Sequence, residues 1–191
     1  MSTSAQNYHH GDLRAALLKE GIQLLKQGGP EALTLRKLAQ HLGVSHMAPY
    51  RHFPDKDALL AAISAEGFRQ LRAQLEAAAN REAATDTPLL REGLAYVRFA
   101  LAEPAMFRLM FGAARPAGQF PELDTARSEA FGMLKQQVAT EPYSGEQIAK
   151  ARGCWALVHG LALLLLDGLL QVPNGVGLDD WLAEILRSTV S

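Results

Sequence analysis

Apolar residues recur along most of this chain at the three- and four-residue spacing of amphipathic helices. Leu35, Leu38, Ala39 and Leu42, for example, follow the i, i+3, i+4, i+7 pattern. The alternating pattern of strands closed by Asn-Gly or Asp-Gly turns is missing. Glycine and proline clusters divide the chain into helix-length segments. The sequence therefore predicts an all-α protein with helices over 11–27, 34–42, 55–79, 88–102, 104–112, 122–140, 145–171 and 178–189.

A further short helix is predicted between the turn glycine Gly43 and Phe53, with Ser45 as its cap. Pro49 lies in its first turn, where it has no N–H to donate. We therefore expect residues 45–48 to be irregular or 3₁₀-like and the regular helix to start close to Pro49. A helix, a glycine turn and a second short helix form a helix-turn-helix, whose second helix can lie in the major groove of DNA.

Composition and charge fit this interpretation. The chain has 191 residues, of which 48% are apolar and 20% charged, as in a globular protein. Residues 1–60 carry seven Lys/Arg against five Asp/Glu, a net charge of +2, although the whole chain carries −1. This is compatible with an anionic partner at the N-terminal end. The single cysteine, Cys154, excludes an intrachain disulfide, and no signal-peptide pattern is present, so we expect a cytoplasmic protein.

Residues 33–60, "LTLRKLAQHLGVSHMAPYRHFPDKDALL", resemble the DNA-binding segment of the TetR family of bacterial transcriptional regulators. The segments "YHHGDLRAALL" (8–18), "YVRFALAEPAMFRLMFG" (96–112) and "WALVHG" (155–160) resemble the branch with a C-terminal WHG domain. The resemblance implies an N-terminal helix-turn-helix DNA-binding domain over 1–60, with its recognition helix at about 45–52. A long helix would join it to a helical regulatory and dimerisation domain over 61–191.

The same resemblance implies DNA contacts at Arg36, Ser45, His46, Met47, Ala48, Tyr50, Arg51, His52 and Lys56. Tyr50, His52 and Lys56 match positions that mostly hold phosphates. Arg36, residues 46–48 and Arg51 match positions that can read bases. Packing against the core is the favoured alternative for Ala48. His9 and His10 are expected to be disordered rather than held near a phosphate.

The C-terminal half has no sequence pattern of catalysis: Gly-x-Ser-x-Gly, phosphate-loop and His-Glu-x-x-His motifs are all missing. No enzyme, cofactor or metal is therefore predicted. An apolar ligand cavity is predicted instead. Core packing remains the alternative for each of its candidate residues, and a hydrogen-bonded core histidine is favoured for the last of them. The candidates are Phe99, Met106, Phe107, Met110, Phe111, Phe131, Trp155 and His159.

The helix predicted over 145–171 is apolar on nearly every face, so it needs cover on more than one side. Its apolar run over 160–166 is too short to span a bilayer. The interior glycines Gly153 and Gly160 weaken this helix unless a close helix crossing offsets their cost. We therefore expect this helix and the last one to form a four-helix dimer interface. Its predicted residues are Leu161, Leu165, Leu169, Trp181, Leu182 and Ile185.

Together these features predict a homodimeric regulator that binds a near-palindromic operator, and the resemblance implies a repressor, since repression is the commoner mode of that family. A small apolar or amphipathic ligand would release it by shifting the helix over 55–79. Two alternatives stay open. One is a DNA-binding regulator without a ligand, and the other is a helical small-molecule-binding protein.

Overall fold

The computed structural model describes residues 10–81, 86–112, 115–138 and 144–189, so His9 lies outside the described residues, as does the side chain of His10. Within these ranges the chain is all-helical and has no strand, which confirms the predicted fold class. The helices are α1 (His10–Gly28), α2 (Leu35–His41), α3 (Lys56–Ala79), α4 (Pro88–Ala102), α5 (Pro104–Gly112), α6 (Pro121–Val138), α7 (Gly145–Leu166) and α8 (Leu178–Thr189).

Most helix ends lie close to the predicted ones, but the predicted end of α7 at residue 171 is wrong. The helix stops at Leu166 because Gly168 adopts a φ of 69°. The N–H groups of Gly168 and Leu169 donate to the carbonyls of Leu165 and Leu164. This pair of bonds satisfies the last carbonyls of the helix and turns the chain away from the helix axis.

The head, residues 10–60, consists of α1, a 3₁₀ turn (Pro30–Ala32), α2, the segment up to Asp55 and the start of α3. Thr34 caps α2 by accepting a hydrogen bond from the Lys37 N–H, and Asp55 caps α3 by accepting one from the Ala58 N–H. Apolar side chains from every element meet in one core, where each contributes about 1.5–3 kcal/mol. They include Leu17, Leu24, Leu33, Leu38, Phe53 and Leu59.

The helix α3 belongs to both halves of the molecule. It runs unbroken from Lys56 to Ala79, so the predicted domain boundary at residue 60 falls inside it. Two glycines bring its neighbours very close. A Cβ added to Gly21 of α1 would lie 2.9 Å from the Cδ1 atom of Ile63, and one added to Gly67 would lie 2.6 Å from the Sδ atom of Met110. Side chains larger than hydrogen are therefore excluded from both crossings unless a neighbour moves.

The body, residues 61–189, packs α4, α5 and α6 around the rest of α3, and α7 and α8 against α4. Its buried side chains join those of the head in one continuous cluster. The helix α7 buries only one side in this chain, at Ala151, Val158, Leu161 and Ala162, whereas Leu164 is 42% exposed. By length and composition alone α7 could also cross a membrane, a test that core helices of globular proteins pass as well.

Candidate nucleic-acid interface and ligand cavity

The recognition segment, residues 45–52, is shorter and tighter than predicted. Gly43 follows α2 with a φ of 64°, and the Val44 N–H donates to the Ala39 carbonyl, which ends α2 in a defined direction. Turns follow over 46–48, and then a three-residue 3₁₀ helix, Pro49–Arg51. The expected irregular or 3₁₀-like start is confirmed, but the regular helix expected to start close to Pro49 is only this three-residue 3₁₀ helix.

Pro49 explains this geometry. In an α-turn the Ser45 carbonyl would accept a hydrogen bond from the N–H of residue 49, which proline lacks. It accepts one instead from the Ala48 N–H, three residues on, at 3.0 Å. The His52 N–H likewise donates to the Pro49 carbonyl at 3.0 Å. Because Pro49 itself is buried, its ring supplies the apolar contact that holds the segment on the head.

The segment turns most of its candidate residues outward. Ser45, His46 and Arg51 are exposed, Tyr50 is 45% exposed and Met47 is 69% exposed. Ala48 is half-buried against the core, as the packing alternative predicted, and His52 is half-buried. Exposure of this kind is needed for contact with a partner.

Carboxylates neutralise the cations of the head unevenly. Arg14 and Lys26 form ion pairs with Glu122 and Glu103 of the body, at 2.6 and 2.8 Å. Lys56 lies 3.8 Å from Glu31, whose side chain is 97% exposed. Arg36, Lys37 and Arg51, by contrast, form no ion pair with any described residue. The positive charge of the head is therefore most available on α2 and the recognition segment.

Glu122, in the first turn of α6, joins two helices that meet at the boundary of head and body. Its carboxylate accepts hydrogen bonds from Arg14 of α1 at 2.6 Å and from Arg69 of α3 at 3.0 Å. The Arg14 guanidinium also lies over the ring of Phe53, 5.6 Å from its centroid. Phe53 directly follows the recognition segment. A movement of α6 thus has a short route of direct contacts to that segment.

A cavity of about 1330 Å³ lies in the body. This exceeds the roughly 300–1,000 Å³ of typical ligand pockets. Its walls come from α3, α4, α6, α7 and α8 and from the end of α5, and they are mainly apolar. They include Phe68, Leu71, Leu75, Leu90, Tyr96, Met110, Phe111, Ala130, Phe131, Leu134, Trp155, Val158 and Leu186. The ionisable wall residues are Glu92, Asp124, Arg115, Arg127, Arg152, Arg187 and Cys154.

Half of the predicted ligand residues line this cavity: Met110, Phe111, Phe131 and Trp155. Phe99, Met106 and Phe107 are not among the residues that line it; their side chains are at most 1% exposed and lie inside the core. His159 also lies behind the wall rather than in it. The sequence analysis missed the α3 residues Phe68, Leu71 and Leu75, although their i, i+3, i+7 spacing puts them on one face.

His159 takes part in a hydrogen-bonded cluster behind the cavity wall. The Trp155 Nε1–H donates to the Tyr96 oxygen at 3.2 Å, and the Tyr96 hydroxyl forms a hydrogen bond with Nδ1 of His159 at 2.9 Å. The ring of Phe111 packs against the imidazole of His159, with the two ring centroids 4.6 Å apart. Burial lowers the pKa of His159 and raises that of Tyr96. His159 is therefore hydrogen-bonded, as the favoured alternative has it, but it is half-buried rather than inside the core.

The predicted dimer residues divide into two groups. Leu161 and Leu182 are 7% and 0% exposed because they face the core of their own chain, so the prediction is wrong for both. Leu165, Trp181 and Ile185 are half-buried, and Leu169, beyond the end of α7, is 75% exposed. A Cβ added to Gly153 or Gly160 would meet nothing within 4 Å. The close crossing expected at these glycines is therefore not made within this chain.

Comparison with known proteins gives matches to both halves of the chain. The family model described as "Bacterial regulatory proteins, tetR family" matches residues 17–63, and that described as "Tetracyclin repressor-like, C-terminal domain" matches residues 89–188. The tetracycline repressor protein class C of Escherichia coli is 45% identical over 51 residues, which are 27% of this chain and 23% of the repressor. The match thus spans under a quarter of that curated relative.

Solved structures match over nearly the full length. A protein of unknown function from Rhodococcus sp. RHA1 is 32% identical with a TM-score of 0.81, covering 97% of both chains. A single-residue variant of TetR from Acinetobacter baumannii AYE, solved in complex with minocycline, is 24% identical with a TM-score of 0.57, covering 94% of this chain and 93% of that one. The second similarity shows the fold alone.

The environment of His159 leads to a prediction for the pH dependence of stability. Because burial lowers its pKa in the folded chain, the unfolded chain binds more protons near and below the ordinary value of 6.5. Stability is therefore lost as the pH falls through that value. We expect the melting temperature of H159Q to fall less than that of the original chain between about pH 7.5 and 5.5.

The exposed His46 supplies the control: the melting temperature of H46Q should depend on pH as that of the original chain does. An unchanged slope in H159Q would contradict the assignment.

Proposed function

We propose that this chain, which belongs to the TetR family of bacterial regulatory proteins, is a cytoplasmic DNA-binding transcriptional repressor. It binds a near-palindromic operator as a homodimer and leaves it when a small molecule occupies the cavity. Residues 1–60 bind DNA, and residues 61–191 hold the ligand and the dimer interface. The observation that carries this proposal is the concentration of exposed, unpaired cations on α2 and the recognition segment, which one continuous helix joins to a large apolar cavity.

On DNA, the recognition segment lies in the major groove. Arg36, His46 and Arg51 present hydrogen-bonding groups to base edges, and Met47 is suited to apolar contact with a thymine methyl. Tyr50, His52 and Lys56 bind phosphates. The pair between Lys56 and the exposed Glu31 is a weak surface pair, so a phosphate can replace it at little cost. Counterions released from these phosphates make binding weaker as salt rises.

The dimer forms through the uncovered side of α7 together with α8. The open space beside Gly153 and Gly160 allows a partner helix to approach closely. Leu164 is 42% exposed and lies four residues after Gly160, on the same face of α7, and Leu169 is 75% exposed; Leu165, Trp181 and Ile185 are half-buried. Burying them against a second copy removes apolar area from water, which is the main driving force of association.

A ligand in the cavity reaches the head by two routes. Phe68, Leu71 and Leu75 of the cavity wall lie on α3, whose first turn adjoins the recognition segment. Arg127 of the wall lies on α6, which also carries Glu122, the partner of Arg14. A ligand changes operator affinity only if it binds the two conformations with different affinity.

The DNA-binding proposal predicts a position-specific loss for Arg36. Operators are first selected from genomic fragments. On these, R36A should weaken the free energy of operator binding by about 1–3 kcal/mol and relax specificity at one base position. R72A is the control, because Arg72 lies in the body and pairs with Glu129 at 2.8 Å. The operator affinity of R72A should equal that of the original chain. Equal loss on all sequences would make Arg36 a phosphate contact. Failure to retard any selected fragment would favour the helical small-molecule-binding protein instead.

The dimer proposal predicts that a large side chain at position 160, in place of Gly160, prevents the two subunits from associating. In G160L the side chain enters space that is empty within this chain, so the monomer should fold with an unchanged helical spectrum. Light scattering at micromolar concentration should then report a monomer, where the original chain is a dimer. G132L is the matched control, since Gly132 of α6 has equally open surroundings. An original chain that is already monomeric would refute the interface.

The second route predicts coupling between Arg14 and Glu122 in operator binding. R14Q, E122Q and the double variant form a double-mutant cycle in operator affinity. Residues in direct contact typically show interaction free energies of about 0.5–3 kcal/mol. The matched control is the cycle on Arg72 and Glu129, a pair of the same type at 2.8 Å that joins α3 to α6 without touching the head. Additive effects in the first cycle would exclude this route.

A further inference from the structure

The cavity is apolar along its length but carries an excess of positive charge. Four arginines line it, Arg115, Arg127, Arg152 and Arg187, against the carboxylates of Glu92 and Asp124 in the wall and that of Asp86, which pairs with Arg187 at 2.7 Å. Guanidinium groups do not lose their charge in proteins. Each arginine that faces a partly dehydrated space therefore needs an anion or water to satisfy it.

Arg115 and Arg127 lie near each other at the end of the cavity formed by α6 and the segment before it. Arg127 is 3.5 Å from Asp124, and its guanidinium lies over the ring of Phe68, 5.8 Å from the centroid. Asp124 also accepts a hydrogen bond from the Gly118 N–H at 2.7 Å. The one carboxylate at this end is thus already shared between a backbone donor and Arg127.

Arg115 has no such partner. It is half-buried and makes no ion pair or side-chain hydrogen bond with a described residue. Burial is the main cause that lowers its pKa; the attraction of Asp57 opposes this, and the repulsion of Arg127 adds to it. A cation that is partly dehydrated and close to a like charge is stabilised by an anion placed between the two.

The apolar wall begins beside these arginines. Phe68 lies under Arg127, and Leu71 and Leu75 continue the wall along α3. Seven residues of helix span about 10 Å. Phe131 and Leu134 of α6 continue it on the opposite side. The cavity therefore combines an extended hydrocarbon-like channel with a pair of guanidinium groups at one end.

We propose that the ligand of this cavity is an amphipathic carboxylate. Its apolar body lies along α3 and α6, and its carboxylate lies between Arg115 and Arg127. The proposal rests on the proposed function in taking the cavity as the ligand site. It adds the chemical class of the ligand and the two residues that select it. Guanidinium groups suit this role because they can bind a carboxylate through two parallel hydrogen bonds.

The test compares three probes with the same chain length on the full-length protein: dodecanoate, 1-dodecanol and dodecylamine, each below its micelle-forming concentration. Binding is measured by calorimetry and by the fluorescence of the tryptophans, one of which, Trp155, lines the cavity. Dodecanoate should bind about tenfold or more tightly than the alcohol, and the ammonium compound weakest of all. R115Q and R127Q should each remove most of that advantage while leaving dodecanol binding unchanged.

R72Q controls for the loss of an arginine outside the cavity, and R127K should retain part of the affinity because it keeps the charge. Equal binding of dodecanoate and dodecanol, no binding of dodecanoate, or an equal loss of both probes in R115Q would overturn the proposal. Since the comparison of probes needs only the original chain, a variant that fails to fold does not prevent a decision.

Operator retardation with and without dodecanoate separates this proposal from the proposed function. Arginine-dependent binding that leaves DNA affinity unchanged would support the ligand class and contradict ligand release. Release by a neutral compound, with no preference for dodecanoate, would support ligand release and contradict the carboxylate.

Discussion

The helix α3 is the constraint on which both halves of the molecule depend. Its first turns complete the core of the head, and its later turns form a wall of the cavity, without a break that could act as a hinge. At Gly21 and Gly67 the neighbouring side chains approach so closely that a Cβ would lie under 3 Å from them. Packed helices of this kind respond to a perturbation by moving as units rather than by bending. A ligand that displaces the wall at Phe68 therefore displaces the base of the recognition segment too.

The recognition segment shows how one residue sets local geometry without disturbing the fold. Pro49 removes the donor for an α-turn at Ser45, whose carbonyl accepts a 3₁₀ bond from the Ala48 N–H instead, yet it is buried and packs like an apolar residue. Phe53 next to it is 2% exposed and anchors the segment in the core. Its ring also contacts Arg14. The conformation of the segment is thus fixed by packing and by proline chemistry rather than by helical hydrogen bonds, and its outward side chains are displayed on a turn.

The sequence was a good guide where local rules decide the structure. Capping by Thr34 and Asp55, the positive φ of Gly43 and the tight turn before Pro49 all follow from the residues concerned. It was a poor guide where tertiary contacts decide. The apolar pattern of α7 and α8 cannot distinguish Leu161 and Leu182, which face their own core, from neighbours that remain exposed. Likewise an aromatic or methionine residue gives the same pattern whether it fills the core, like Phe107, or lines the cavity, like Phe111. The Gly168 stop was overlooked inside an apolar run, although Asp167-Gly168 is a recognisable helix end.

The distribution of arginine partners unites the two proposed anion sites. Arg14 and Arg69 converge on Glu122, and Arg72 pairs with Glu129, so these cations hold the helices together. Arg36 and Arg51 on the head and Arg115 in the cavity have no such carboxylate among the described residues. Arg115 is also attracted by Asp57, in the first turn of α3 beside the recognition segment. In this proposal a carboxylate in the cavity competes with Asp57 for this arginine and so changes the electrostatics at the end of α3 beside the recognition segment. Each site then influences the other through the same helix, as thermodynamic linkage requires of any ligand that releases a repressor.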